Sequence, residues 1–382
     1  MRSKALLILF FILAGITASP QPFSRFLAAM EPLPASLRQA KADSFMRSNR
    51  VFPCLESDTV CHFVFKGPAT TVSVAGDFTG WVPGKDTMVN ISGTDLWYCT
   101  KYFEPDARLD YKFVVNSENW MLDPCNPNTC KSGFGPNSEL RMPRYIAPPE
   151  MVYDPAVPPG RVRDTIFSSI LLGNSRNVKI YLPAGYKAEG NRYPVVMFHD
   201  GPEFITLANA CIILDNLIAR GQIGPVIAVF VPPVDREPEY AEDKKDLFAG
   251  FITDELMPVI DAKYHTSRNP RDRATLGASN GGNIAIYLGT THPECFGKVA
   301  AYSSNIIPEI NLNLSQKEKM DLEFYLDMGT YDISVLIPMV DGFSQLLDRK
   351  GYTYTYYKWH EGHSWGSWKG HLGVALKQFF SN

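Results

Sequence analysis

Two stretches of the chain place a serine between glycines in the spacing G-x-S-x-G: Gly277-Ala278-Ser279-Asn280-Gly281 and Gly362-His363-Ser364-Trp365-Gly366. The spacing suits a serine that attacks a carbonyl carbon. Such a nucleophile stands on a tight strand-to-helix turn, and small residues let neighbouring backbone approach it. Local context does not separate the two, because strand-like RATLGA and helix-like GGNIAIYLGTTH frame Ser279 much as TYTYYKW and SWKGHLGVALKQFF frame Ser364. Chain order does. On a mostly parallel sheet the acid and the base come from loops after later strands, so the serine precedes a carboxylate and then a histidine. Beyond Ser364 eighteen residues remain, without Asp or Glu. Beyond Ser279 come the turn MGTYD and the strand end HEGH, which makes Ser279 the nucleophile, Asp332 the acid and His363 the general base.

In that scheme His363 takes the Ser279 proton during attack and returns it to the leaving alcohol, while Asp332 fixes the imidazole tautomer. The oxyanion needs two N–H donors. Asn280, at a helix N-terminus, is one; the loop after VVMFHDG supplies the other from Gly201 or Glu203, since Pro202 has no N–H, and Gly201 is the choice. His199 and Asp200 read as support for that loop. Asp327, inside the strand FYLD, is the rival acid. His360, His363 and His371 lack a carboxylate at ligand spacing, so no metal is assigned, and acyl-enzyme chemistry needs no cofactor. The loop VDREPEYAED either presents Arg236, Glu239 and Tyr240 to substrate or is an ion-paired structural loop, and Trp365 beside the base is a candidate pocket residue.

The elements that position these residues follow from periodicity. From about residue 165 to 382, apolar β runs alternate with helical patterns, which implies a mostly parallel sheet with helices on both faces and ligands at the carboxyl ends of its strands. In DLFAGFITDELMPVIDAKY, Leu247, Phe251, Leu256, Val259 and Ile260 share one helical face. Residues 142–164 hold six prolines and no amphipathic period, the mark of a stiff linker. Residues 51–141 show period-2 alternation at the spacing of a small antiparallel sandwich. A polar helical lead-in occupies 19–50.

At the N-terminus Arg2 and Lys4 precede the apolar run ALLILFFILAGI and the small residues Thr17-Ala18-Ser19. That order is the pattern of a signal peptide ending near Ala18, which implies a secreted or periplasmic protein with no membrane span after cleavage. Without Arg2 and Lys4 the formal charge moves from -3 to -5, and no basic stripe remains to bind nucleic acid. Of seven cysteines, Cys54 with Cys61 and Cys125 with Cys130 are candidate disulfides, while Cys99, Cys211 and Cys295 sit in apolar runs.

Taken together, REPEYAED, ELMPVIDAKYHT, LGASNGG, THPECFGKVAAYSS, MGTYD and EGHSWGSWKGHL resemble the esterase D-like family, which holds enterochelin esterases, feruloyl esterases and mycolyltransferases. The resemblance covers about residues 165 to 382 and implies an α/β-hydrolase fold, with the triad on Ser279, Asp332 and His363. Residues 51–141 resemble carbohydrate-binding module family forty-eight, an immunoglobulin-like sandwich, through VSVAGDFTGW, LDYKFVVNSENWMLDPCNP and FGPNSEL. That second resemblance implies a glycan platform of Trp81, Lys112, Trp120 and Asn137. The implied activity is serine carboxylic-ester hydrolysis on acylated polysaccharide. The alternatives are a siderophore trilactone esterase, an acyltransferase and a catalytically silent glycan-binding protein.

Overall fold

The computed structural model describes residues 22–49 and 51–381; the proposed signal peptide, 1–18, lies outside them. Two helices, α1 (Phe23–Met30) and α2 (Ala35–Ser48), lead into ten short strands: β1 (Cys54–Leu55), β2 (Val60–Lys66), β3 (Val72–Gly76), β4 (Asp86–Thr87), β5 (Val89–Asn90), β6 (Leu96–Tyr102), β7 (Arg108–Val115), β8 (Asn119–Met121), β9 (Thr129–Cys130) and β10 (Asn137–Arg141). One antiparallel sheet has the order β1-β2-β6-β5; β3, β8 and β10 gather antiparallel around β7 in a second. Alternation along β7 is strict. Leu109, Tyr111, Phe113 and Val115 enter the core shared with Phe63 and Phe65 of β2, so Arg108, Asp110, Lys112 and Val114 take the opposite face.

The lead-in is not a free polar helix. Phe26 stacks on Phe45 with centroids 4.1 Å apart, and together with Phe23 they cover Val64 and Leu96 on the outer face of the first sheet. Burial of each such ring stabilises by ~1.5–3 kcal/mol. The linker is docked as well: the Asn216 amide donates to the carbonyls of Glu150 and Val152, both at 2.8 Å, and Lys377 donates to buried Glu150 at 3.0 Å.

The second half continues with β11 (Arg161–Ser169), β12 (Asn174–Leu182), β13 (Val195–His199), β14 (Ile227–Val231), β15 (Arg273–Ala278), β16 (Lys298–Tyr302), β17 (Glu323–Tyr331) and β18 (Thr353–Gly362). Their spatial order is β11-β12-β14-β13-β15-β16-β17-β18, parallel from β14 to β18. The central strands β13, β14, β15 and β16 are buried almost end to end because helices cover both faces, whereas β11 is largely exposed. The helices are α3 (Gly201–Thr206), α4 (Ala210–Ala219), α5 (Arg236–Ala241), α6 (Lys245–Gly250), α7 (Met257–Lys263), α8 (Asn280–Thr291), α9 (Pro308–Gln316), α10 (Ile337–Lys350) and α11 (Trp365–Phe380). Among the described residues no helix is long and apolar enough to cross a membrane.

Two expectations are corrected. The single helical face over DLFAGFITDELMPVIDAKY breaks, because residues Phe251–Leu256 form a π-helical stretch between α6 and α7 and the wider turn rotates the face. Leu247 and Val259 end up exposed, while Phe251, Leu256 and Ile260 are buried. The cysteines are all free thiols. Cys54 pairs with His62 and Leu55 with Cys61 in the β1–β2 ladder, so Cys54 and Cys61 point to opposite faces and cannot bridge.

Candidate active site

Ser279 ends β15 and opens α8 with φ 55° and ψ -125°, a conformation few side-chain-bearing residues adopt. Its amide donates to the Tyr302 carbonyl at 2.8 Å, and its carbonyl accepts the Gly282 amide at 3.0 Å. The flanking glycines make this turn possible. A Cβ on Gly277 would sit 2.1 Å from the Gly281 carbonyl oxygen, one on Gly281 2.8 Å from Asp200 Oδ2, and one on Gly282 2.8 Å from Ser304 Oγ. Ser279 is half-buried, so its hydroxyl is reachable at the carboxyl edge of the sheet.

Asp332 lies in the turn after β17 and His363 directly follows β18. The His363 imidazole Nδ1 meets Asp332 Oδ1 at 2.8 Å. The Ile333 amide donates to the same oxygen at 2.6 Å. The Asp332 carboxylate is wholly buried and the imidazole one-fifth exposed. The rival Asp327 stands inside β17, accepts from Tyr325 at 3.2 Å, and is pushed up to about 7 by burial. The three nearby histidines do not converge: His360 pairs with Asp106 and His371 with Glu361.

Behind Ser279, β13 ends in a turn at Asp200, which has a left-handed backbone (φ 57°). The Glu203 amide donates back to the Asp200 carbonyl at 3.1 Å, whereas among the described residues no backbone acceptor takes the Gly201 or Asn280 amide. Gly201 leaves no room for a side chain, since a Cβ would lie 2.4 Å from the Phe230 carbonyl carbon. His199, fully buried, meets Thr275 Oγ1 at 2.8 Å, and burial lowers its imidazole to about 3.

The family model "Esterase" matches residues 168–379. The chain belongs to this esterase family. Among curated proteins it is 31% identical over 150 residues to an endo-1,4-beta-xylanase/feruloyl esterase of Xylanibacter ruminicola, covering 36% of this chain and 21% of that one. It is 28% identical over 246 residues to the iron(III) enterobactin esterase of Escherichia coli, covering 57% of this chain and 60% of that one. The chain therefore spans less than two thirds of the length of either relative. In fold it is similar to the enterobactin esterase of Shigella flexneri, with TM-score 0.73 and 21% identity over 88% of this chain and 97% of that one. It is also similar to a ferulic acid esterase of Anaeromyces mucronatus, with TM-score 0.53 and 18% identity over 61% of this chain and 96% of that one. The chain thus has the fold of an α/β-hydrolase sheet.

The remaining expected site residues divide. Arg236, one-third exposed, grips Asp200 with two hydrogen bonds of 2.8 Å and so braces the turn that holds Gly201. Tyr240 is not presented to substrate. It is fully buried, its hydroxyl accepting the Asp200 amide at 3.0 Å, and neighbouring Glu239 is buried against Arg176. Within VDREPEYAED, residues Arg236–Ala241 form α5, with Arg236 paired to Asp200 and Glu239 to Arg176. Trp365 is half-buried, edge-on to Phe204 of α3 at 5.2 Å, while Trp368 stands edge-on to His363 at 5.0 Å.

Trp81 and Trp120 stack at 6.5 Å, with Trp120 44% exposed. Trp120 pairs with Val114 and thus shares the Lys112 face of β7. Asn137 is buried and donates to Asp110 at 3.1 Å.

Sequence reasoning missed a cluster behind His363. Arg108 and Asp77, both from the N-terminal half, reach the residues flanking His363. GDFTGW and RLDYKF contain them, but nothing local marks either as reaching another domain.

Proposed function

We propose that this chain is an exported serine carboxylic-ester hydrolase working through an acyl-enzyme on Ser279, with His363 as general base, Asp332 as its orienting acid, and the Asn280 and Gly201 amides holding the oxyanion. The observation that carries the reading is the 2.8 Å contact of His363 with a buried Asp332, on the two loops that follow a strained serine turn. His363 Nδ1–H donates to Asp332, which leaves Nε2 to accept the serine proton and then deliver it to the departing alcohol. Export rests on the residue order of the first eighteen positions.

Acylated polysaccharide of the feruloyl or acetyl type is the proposed substrate. The feruloyl esterase relative supports it, as does the exposed Trp120 stacked on Trp81, a flat apolar surface suited to sugar faces. A siderophore trilactone is the second reading, supported by the enterobactin esterase relatives, which match a longer part of the chain. Turnover of methyl ferulate, acetylated xylan and a catecholate trilactone separates the two. The polysaccharide reading expects the highest kcat/KM on ferulate or acetylated xylan, and a clear preference for the trilactone would replace it.

A further inference from the structure

The loop that carries His363 is held from behind by the N-terminal half of the molecule. Glu361 pairs with Arg108 where β18 runs beside β7. Arg108 Nη1 donates to Ser364 Oγ at 3.0 Å. The other arms of the guanidinium are already fixed, Nη2 on Asp110 at 2.6 Å and Nε on Glu139 at 3.1 Å. Arg108 is fully buried, so a rigid planar fork with three anchored edges is aimed at the residue next to the histidine.

Two close approaches complete the support. A Cβ on Gly362 would lie 2.1 Å from Asp77 Cγ, and one on Gly366 would lie 1.9 Å from Arg108 Nη2. Residues on both sides of His363 therefore rest on Asp77 or Arg108. Ser364 Oγ also caps α11, accepting the Ser367 amide at 3.3 Å, so the hydroxyl that receives Arg108 sets where the chain leaves β18 and turns into the helix.

We propose that Arg108 is a positioning residue for the reaction, acting through Ser364 to hold the His363 imidazole at the angle that Ser279 and Asp332 require. The inference rests on reading His363 as the general base. It gives the N-terminal half a part in the chemistry without contact to substrate, and it gives the second G-x-S-x-G serine a task other than nucleophilic attack. The physical ground is that small displacements of a catalytic group are costly: ~1 Å costs about a hundredfold in rate.

The test is steady-state hydrolysis of p-nitrophenyl acetate by the full chain, below each variant's unfolding midpoint, with kcat and KM separated. Ser364→Ala removes the acceptor and leaves Arg108 paired with both carboxylates. It should lower kcat by about tenfold or more while KM moves by no more than about twofold. Ser364→Thr, which keeps the hydroxyl, should recover most of the rate. Arg108→Gln should show the same split where it folds; where it does not, the Ser364 pair decides. A folded Ser364→Ala with wild-type kcat, or a Ser364→Thr as slow as Ser364→Ala, would overturn the positioning role. Ser279→Ala and His363→Ala run alongside distinguish the two levels. If both lose turnover while Ser364→Ala keeps it, the positioning role alone fails; if both keep it, the triad reading fails too.

Discussion

Asp332 and Asp327 are five positions apart, and their surroundings assign them different work. Asp332 Oδ1 receives the His363 ring and a backbone amide, both of which stabilise a carboxylate. Asp327 is buried with a tyrosine hydroxyl as partner and is held up to about 7, so burial works against its charge. Asp332→Asn should therefore cost about three to four orders of magnitude in kcat through loss of the correct imidazole tautomer, while Asp327→Asn leaves turnover of the same order. Ester hydrolysis by the two purified variants checks this, and the reverse ranking would move the acid role to Asp327. At this scale chain order pointed to Ser279, Asp332 and His363, because the order of loops on a parallel sheet constrains the order of residues, and the structure brings His363 and Asp332 of that set into contact. Tyr240 was not legible. A tyrosine in a polar loop looks like a ligand-facing group, and nothing in VDREPEYAED reveals that its hydroxyl receives the Asp200 amide.

Strands β12 to β17 were legible as elements, since each carries a short apolar run bounded by turn residues, and their alternation with helices implied the sheet. Strand β11 was not, because Arg161–Ser169 is polar and largely exposed and begins inside the stretch 142–164 that reads as linker. What periodicity could not show was the π-helical stretch at Phe251–Leu256, where one wider turn changes which residues face inward, or the docking of α1 and α2, which depends on Phe23, Phe26 and Phe45. The β13 turn carries its own pH dependence. His199 is buried and lowered to about 3, against an ordinary value of ~6.5 in the unfolded chain. Between those values the unfolded state binds more protons, so this contribution is complete above about 6.5 and is lost as pH falls. From pH 7 to 5 the loss is about 2 kcal/mol. Asp327, raised to about 7, acts in the opposite sense, because the fold favours its protonated form. A His199→Gln comparison isolates the histidine. In urea unfolding, wild type should lose stability relative to the variant between pH 7 and 5, and parallel curves would contradict the assignment.

At the scale of the molecule, residues 142–164 looked like a spacer between two modules, yet β18 pairs with β7 and the hydrolase sheet runs on into the N-terminal strands. A hydrogen bond between positions 256 apart in sequence, Arg108 to Ser364, leaves no trace in local patterning. The two halves thus meet behind the candidate base, and Trp81, which donates to Asp77 at 3.0 Å, ties the aromatic pair to the same region. The central claim is a single acyl-enzyme serine. It is tested most directly by treating the full chain with a p-nitrophenyl phosphonate, measuring the intact mass and mapping the adduct by peptide mass spectrometry. One adduct per chain, on Ser279, absent in Ser279→Ala and strongly slowed in His363→Ala, is the expected result. An adduct on Ser364, or full esterase activity in a chain that takes no adduct, would contradict it.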